Sequence, residues 1–235
     1  GFVKIGDKTI SNFLKNKKYG LQTMTEVLEK SLNTGAVFIE KTMPHGIFLQ
    51  YLDEFGFGEK TGIDLQGEVM SQNNNLRDGG DVNFATASFG QGIGATPIQL
   101  VRAFSAIANG GKILRPYVVS KIVNANQEEI ETPVKIIRTI LNQQTISQLT
   151  TMLISTVSNG AKNARVPGYY VAGKTGTAQV PYPDRAGYYP DRTINSFIGF
   201  APALNPRFVI LVKLDNVRNG RTAEGTSSFI FSKLA

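Results

Sequence analysis

The sequence predicts an α+β fold: an antiparallel β-sheet flanked by helices, with an all-helical lobe built from the first half of the chain. Three observations carry this expectation. Helix-type periodicity dominates residues 1–111, strand-type runs concentrate in the second half, and one more helical segment closes the chain. Helices first, then strands, then a helix is the order of a sheet covered by helices and not of alternating βαβ units. One domain is therefore expected over 1–235, with a mainly helical lobe at 1–111, a sheet-containing lobe at 112–235, and no clear linker.

The elements follow in order. Residues 23–30 read as a helix with Met24, Val27 and Leu28 on one face. Ser31-Leu32-Asn33-Thr34-Gly35 interrupts it, and a second helix is expected over 36–42. Pro44-His45-Gly46 reads as a turn before a third helix at 47–55. Residues 56–80 are rich in Gly, Asn and Asp and read as loop. Thr96-Pro97 places an N-cap and a first-turn proline at the start of a helix that runs to Asn109 and ends at Gly110-Gly111. Short β-type runs occupy 117–123 and 129–132. Residues 143–158 form an amphipathic helix with Ile146, Leu149, Met152, Leu153 and Val157 on its apolar side. A glycine-interrupted strand covers 169–180, a Pro/Tyr/Asp loop 181–192, and a hairpin 195–214 turns at Ala203-Leu204-Asn205-Pro206. The closing helix spans 222–234.

Composition narrows the function classes. The 235 residues are 41% hydrophobic and 18% charged, which permits a sizeable core and argues against disorder. No uninterrupted apolar stretch approaches bilayer length, and no signal peptide is present. Gly1 in place of methionine reads as a processed or trimmed chain, with any membrane anchor expected upstream. The formal charge of +7 favours anionic surroundings. The basic residues are scattered, and neither a helix-turn-helix nor an aromatic RNA-binding strand accompanies them, so no nucleic-acid partner is expected. Without cysteine there are no disulfides, thiolate nucleophiles or cysteine metal sites.

Two short motifs carry chemistry. Lys174-Thr175-Gly176-Thr177 lies on the glycine-interrupted strand, where a lysine offers fixed positive charge to a carboxylate and threonines add hydroxyl donors. Gly176 lets another backbone approach, so a substrate peptide can lie along this strand as an added strand. Taken alone, the same residues equally describe a surface lysine on a loose edge strand. Ser31 and Asn33 stand two apart at a helix junction, where a turn points both into one cleft: Ser31 to relay a proton, Asn33 to hydrogen-bond an amide. Taken alone, they equally describe helix breakers and caps. His45, the only histidine, has no partner cluster in the sequence, so neither a metal nor a triad role is expected. The glycines of GQGIGA do not follow a strand in a βαβ unit, which argues against a dinucleotide site. Tyr182, Tyr188 and Tyr189 are read either as a flap over the cleft or as a loop packed on its own aromatics.

Five stretches taken together resemble the transpeptidase domain of class B penicillin-binding proteins. They are SLN at 31–33, FGFGEKTGIDLQGE at 55–68, FGQGIGATPIQLVRAFSAIANGG at 89–111, VAGKTGTAQV at 171–180 and FIGFAPALNPRFVILV at 197–212. The resemblance covers nearly the whole chain and makes 1–235 a partial transpeptidase domain of the β-lactamase-like fold. The constellation pairs S-x-x-K with S-x-N and K-T-G. By this resemblance Ser31 is the proton relay, Asn33 the substrate-amide contact and Lys174 part of the carboxylate and proton network. Thr175, Gly176 and Thr177 bind substrate, with the Thr177 N–H facing an oxyanion. The implied activity is a D,D-transpeptidase that cross-links peptidoglycan stem peptides through an acyl-serine and binds β-lactams, with no metal or organic cofactor. The implied setting is the outer face of the cytoplasmic membrane, beside a glycan polymerase. Alternatives are a D,D-carboxypeptidase or class D-like β-lactamase, with water as acceptor, or a non-catalytic β-lactam sensor or scaffold.

The sequence departs from the family in one respect. No serine is followed three residues later by lysine, and the nearest approach, Ser11 with Lys15, is one position too long. The nucleophile is accordingly expected upstream of Gly1, and an apolar groove is expected where its helix would pack.

Overall fold

The computed structural model describes residues 1–14, 17–185, 187–218 and 221–235. Lys15, named above, lies outside them. The chain opens with a hairpin, β1 (Phe2–Ile5) and β2 (Lys8–Ser11), turned at Gly6 with φ of 54°. There follow α1 (Met24–Glu29), α2 (Asn33–Glu40), α3 (His45–Phe55), α4 (Asn74–Arg77), α5 (Asp81–Ala87) and α6 (Pro97–Ala108). Strands β3 (Lys112–Leu114), β4 (Lys121–Val123), β5 (Glu129–Glu131) and β6 (Ile136–Thr139) come next. Helix α7 (Gln143–Ser155) runs into a π-helical turn, Thr156–Gly160, and a 3-10 turn, Lys162–Ala164. Strands β7 (Ala172–Pro181), β8 (Tyr188–Ala201) and β9 (Phe208–Arg218) then precede α8 (Ser227–Leu234).

Local chemistry accounts for the helix starts. Thr23 caps α1 and Thr96 caps α6 through reciprocal capping boxes with Glu26 and Gln99. Asn142 caps α7 by accepting the Thr145 N–H at 2.8 Å. Helix α2 has no cap of its own at Leu32. Asn12, just past β2, supplies one, its Oδ1 accepting the Thr34 N–H at 3.0 Å.

The principal sheet is antiparallel in the order β7-β8-β9, with Lys174 opposite Ile198 and Phe197 opposite Val212. Both faces are covered: Phe197, fully buried, meets Phe231 of α8 at 4.7 Å on one face, and Phe200, fully buried on the other, packs with Phe104 of α6 and Leu153 of α7. Each such ring contributes about 1.5–3 kcal/mol through burial. Val157 of the π-helical turn and Val171 join the Phe197 cluster. Gly173 is required here, since a Cβ would stand 2.4 Å from Phe197 Cζ.

Several boundaries differ from the sequence reading. The first lobe is not all-helical, because Ile5 and Ile10 of the opening hairpin bury themselves against Val37 and Ala85. Helix α2 begins at Asn33 and not at residue 36, because the cap comes from outside the helix. The 44–46 turn is absorbed into α3, with Pro44 as its N-cap. Helix α5 and strands β3 and β6 have no counterpart among the sequence-based expectations. The loop expected at 181–192 is shorter: the register jumps from Gln179 opposite Thr193 to Pro181 opposite Tyr188, which keeps much of it in the hairpin. The closing helix starts at Ser227, after a turn at Ala223–Thr226.

Candidate active site

The cleft is built where α1 ends. The Ser31 N–H donates to the Leu28 carbonyl at 3.2 Å and the Leu32 N–H to the Val27 carbonyl at 3.0 Å. These two bonds define a Schellman motif, with Ser31 at the position that reverses the backbone. Glycine is usual there. Ser31 instead holds φ of 48°, a left-handed conformation that costs a residue with a Cβ on the order of 1 kcal/mol. The hydroxyl is thereby turned out of the helix and left exposed.

Lys174 comes to it from the second lobe. Its Nζ donates to Ser31 Oγ across 143 residues of sequence, to the Thr175 carbonyl at 3.1 Å and to Thr175 Oγ1 at 3.4 Å. No carboxylate pairs with it among the described residues. Desolvation therefore dominates and pulls its pKa from 10.5 down to about 8. A lysine so tuned exchanges a proton near neutrality while still donating to oxygen. Among the described residues, strand β7 pairs with β8 on one side and with no strand on the other.

One expectation changes at this point. Asn33 was expected to offer its amide to the cleft, but its Nδ2 donates to the Ser11 carbonyl at 2.9 Å. With Asn12, this fastens the start of α2 to the opening hairpin. At Gly176 a Cβ would stand 2.5 Å from Ser196 Oγ, the end of a side chain that can rotate aside, so the expectation that Gly176 admits a second backbone stands beside a local packing reason for glycine. Thr177 is exposed, and its Oγ1 accepts the Ala223 N–H at 3.3 Å.

Other residues find partners that the sequence did not reveal. His45 stacks on Phe84 with ring centroids 3.8 Å apart, and its Nε2 lies 3.3 Å from Glu40 Oε1 and 3.8 Å from Asp81 Oδ1. It thus has two carboxylate neighbours, Glu40 from α2 and Asp81 from α5, brought together by packing that the sequence alone does not display. Burial raises the Glu40 pKa. No group of three or more His, Asp or Glu suited to a metal occurs among the described residues. Tyr182 and Tyr189 pack on each other at 4.5 Å, with Arg185 over one ring and Arg192 over the other, as in a loop resting on its own aromatics. Beside the Ser31 turn, a groove of about 360 Å³ is lined by Met24, Val27, Leu32, Gly35 and Phe38 among others.

A sequence model described as the penicillin binding protein transpeptidase domain matches residues 2–234. Stage V sporulation protein D of Bacillus subtilis is 39% identical over 216 residues, covering 90% of this chain and 33% of that protein. Peptidoglycan D,D-transpeptidase FtsI of Escherichia coli K12 is 32% identical over 211 residues, covering 90% of this chain and 34% of that protein. The crystal structure of penicillin binding protein 3 from Mycobacterium tuberculosis, complexed with aztreonam, superposes with a TM-score of 0.86 at 30% identity, over all of this chain and 54% of that one. The chain spans about a third of the length of these two curated relatives.

Proposed function

Because the chain belongs to the class B penicillin-binding-protein transpeptidase family, we propose that it carries the proton-relay and carboxylate-binding half of a peptidoglycan D,D-transpeptidase site. The observation that supports this most directly is the contact between Lys174 Nζ and Ser31 Oγ, made by two motif residues from different lobes. A serine from an S-x-x-K segment outside this chain attacks the penultimate D-alanine carbonyl of a stem peptide. Its Oγ–C bond forms as the peptide C–N bond breaks. The hydroxyl proton passes through the Lys174 and Ser31 network to the departing D-alanine amine. An amine of a neighbouring stem then takes the acyl group, and its proton returns along the same path.

Within this mechanism Thr175 and Thr177 hold the terminal carboxylate, Gly176 keeps the β7 edge accessible, and the Thr177 N–H faces the oxyanion. Asn33 reaches a substrate amide only by giving up its bond to Ser11. A β-lactam acylates the same serine. Stem peptides are the substrate, and a membrane glycan polymerase is the partner. The site works on the outer face of the cytoplasmic membrane; no helix among the described residues is long and apolar enough to cross a bilayer.

The test is labelling with a fluorescent penicillin, read on a denaturing gel. The complete protein is expected to form a covalent adduct, Lys174→Ala to slow its formation by a factor of about 100 or more, and the 235-residue chain alone to form none. An adduct on the chain alone would show that one of its own serines is the nucleophile. A complete protein that never labels would favour a non-catalytic sensor or scaffold.

A further inference from the structure

The contact between Ser31 and Lys174 needs a strained turn and a strand to be held at fixed separation, and neither residue supplies that restraint. The π-helical turn Thr156–Gly160 lies between the two halves, packed against both α1 and β7. π-helical turns are rare and concentrate at functional sites. On the α1 side it makes two kinds of contact, both to Glu29, two residues before Ser31. Asn159 Nδ2 donates to Glu29 Oε1 at 2.7 Å, and Ser155 Oγ, at the end of α7, donates to the same oxygen. Gly160 presses its backbone against the Glu29 carbonyl, where a Cβ would stand 2.1 Å from the oxygen. On the β7 side, Val157 is buried with Val171, three residues before Lys174.

We propose that Glu29, gripped by Ser155, Asn159 and Gly160, is a positioning residue that holds the Ser31 hydroxyl on Lys174. It touches neither substrate nor the reacting atoms. It fixes the last turn of α1, so that the left-handed residue following it projects toward β7 rather than relaxing outward. Two independent observations point the same way. The side-chain bonds converge on one carboxylate oxygen, and the backbone approach tolerates only glycine. The importance of the contact for catalysis rests on the transpeptidase reading, but the restraint itself is tested without any substrate.

The chain has no cysteine, so Ser31→Cys creates a unique thiol at the contact. A free cysteine titrates near about 8.5, and a neighbouring ammonium lowers that value. The pH midpoint of its alkylation by iodoacetamide is expected about one pH unit below the ordinary value in the Ser31→Cys protein. Adding Glu29→Ala or Gly160→Ala is expected to raise the midpoint back by about as much, while Glu29→Gln, whose amide oxygen still accepts both bonds, is expected to leave it low. The sign separates positioning from simple charge: removing a nearby negative charge alone would lower the midpoint, and would do so equally in Glu29→Ala and Glu29→Gln. Thermal unfolding followed by circular dichroism confirms which variants fold, and should Gly160→Ala fail to fold, the two Glu29 variants decide alone. An unchanged midpoint in folded Glu29→Ala would overturn the proposal, as would an ordinary midpoint in Ser31→Cys itself. Neither result depends on whether the complete protein acylates penicillin.

Discussion

Replacing Lys174 with methionine is expected to make the protein more stable at neutral pH while removing its function. Burial lowers the Lys174 pKa from 10.5 to about 8. Each tenfold change in proton affinity corresponds to about 1.4 kcal/mol, so holding the charged amine in the fold costs about 3 kcal/mol at pH 7. The side chain is partly exposed, which trims that figure. Its hydrogen bonds to Ser31 and Thr175 offset about 1 kcal/mol more. Lys174→Met keeps the length and loses the charge, and is expected to gain about 1–2 kcal/mol at pH 7. The pH dependence carries the sharper signature. Unfolded lysine keeps its proton up to 10.5 and folded Lys174 releases it near 8. Between those values the unfolded state binds more protons, and stability rises with pH. The cost is in full force below about 8 and gone above 10.5, so the wild-type protein should recover about 2 kcal/mol by pH 9.5 that Lys174→Met does not. Urea unfolding of both proteins at pH 7 and 9.5 measures this, and the difference between them cancels the other titrating groups. A Lys174→Met protein less stable than wild type at pH 7, or one with the same pH dependence, would refute the claim that Lys174 is held against its hydration.

Two further outcomes follow from the same geometry. Ser31→Gly is expected to leave stability within about 1 kcal/mol of wild type, or slightly raise it, because glycine suits a φ of 48°; in the complete protein it should abolish penicillin labelling, and a marked loss of stability in urea would show that the Schellman turn does not strain the serine. Thr96→Ala removes the capping box of α6 and is expected to cost about 1 kcal/mol in urea unfolding, with a loss below a few tenths of that counting against the cap.

How far the sequence reached depended on how local each determinant is. Thr96-Pro97 announced its helix because a cap and a first-turn proline are adjacent in sequence, and residues 23–30 announced theirs through the spacing of Met24, Val27 and Leu28. The β8–β9 hairpin was legible from its alternation and its turn. The opening hairpin and α5 were not: each is short, and each is held by burial of Ile5, Ile10 and Ala85 against α2, which no local window displays. The start of α2 was misplaced for the same reason, since its cap is Asn12, 22 residues away. At the site, Ser31 and Lys174 were found through their motifs, whereas the left-handed turn was not, because a Schellman motif is normally announced by glycine. Glu29 carried no signal at all, since its partners lie 126 and 130 residues further on.

That separation bears on the order in which the molecule is made. Strands β7, β8 and β9 join through successive hairpins and close locally, but the cleft closes only when β7 reaches α1, across 143 residues. Ribosomes extend chains at about 5–20 residues per second, so the Ser31 turn precedes its lysine by roughly 7–30 s. Until residues 155–160 emerge, the first lobe has its caps and its hairpin, but Glu29 at the end of α1 lacks the partners that grip it. A nascent chain arrested before β7 would therefore present folded helices around an unformed relay. The Lys174 contact is a late mark of complete synthesis, and its appearance during translation would time the docking of the two lobes.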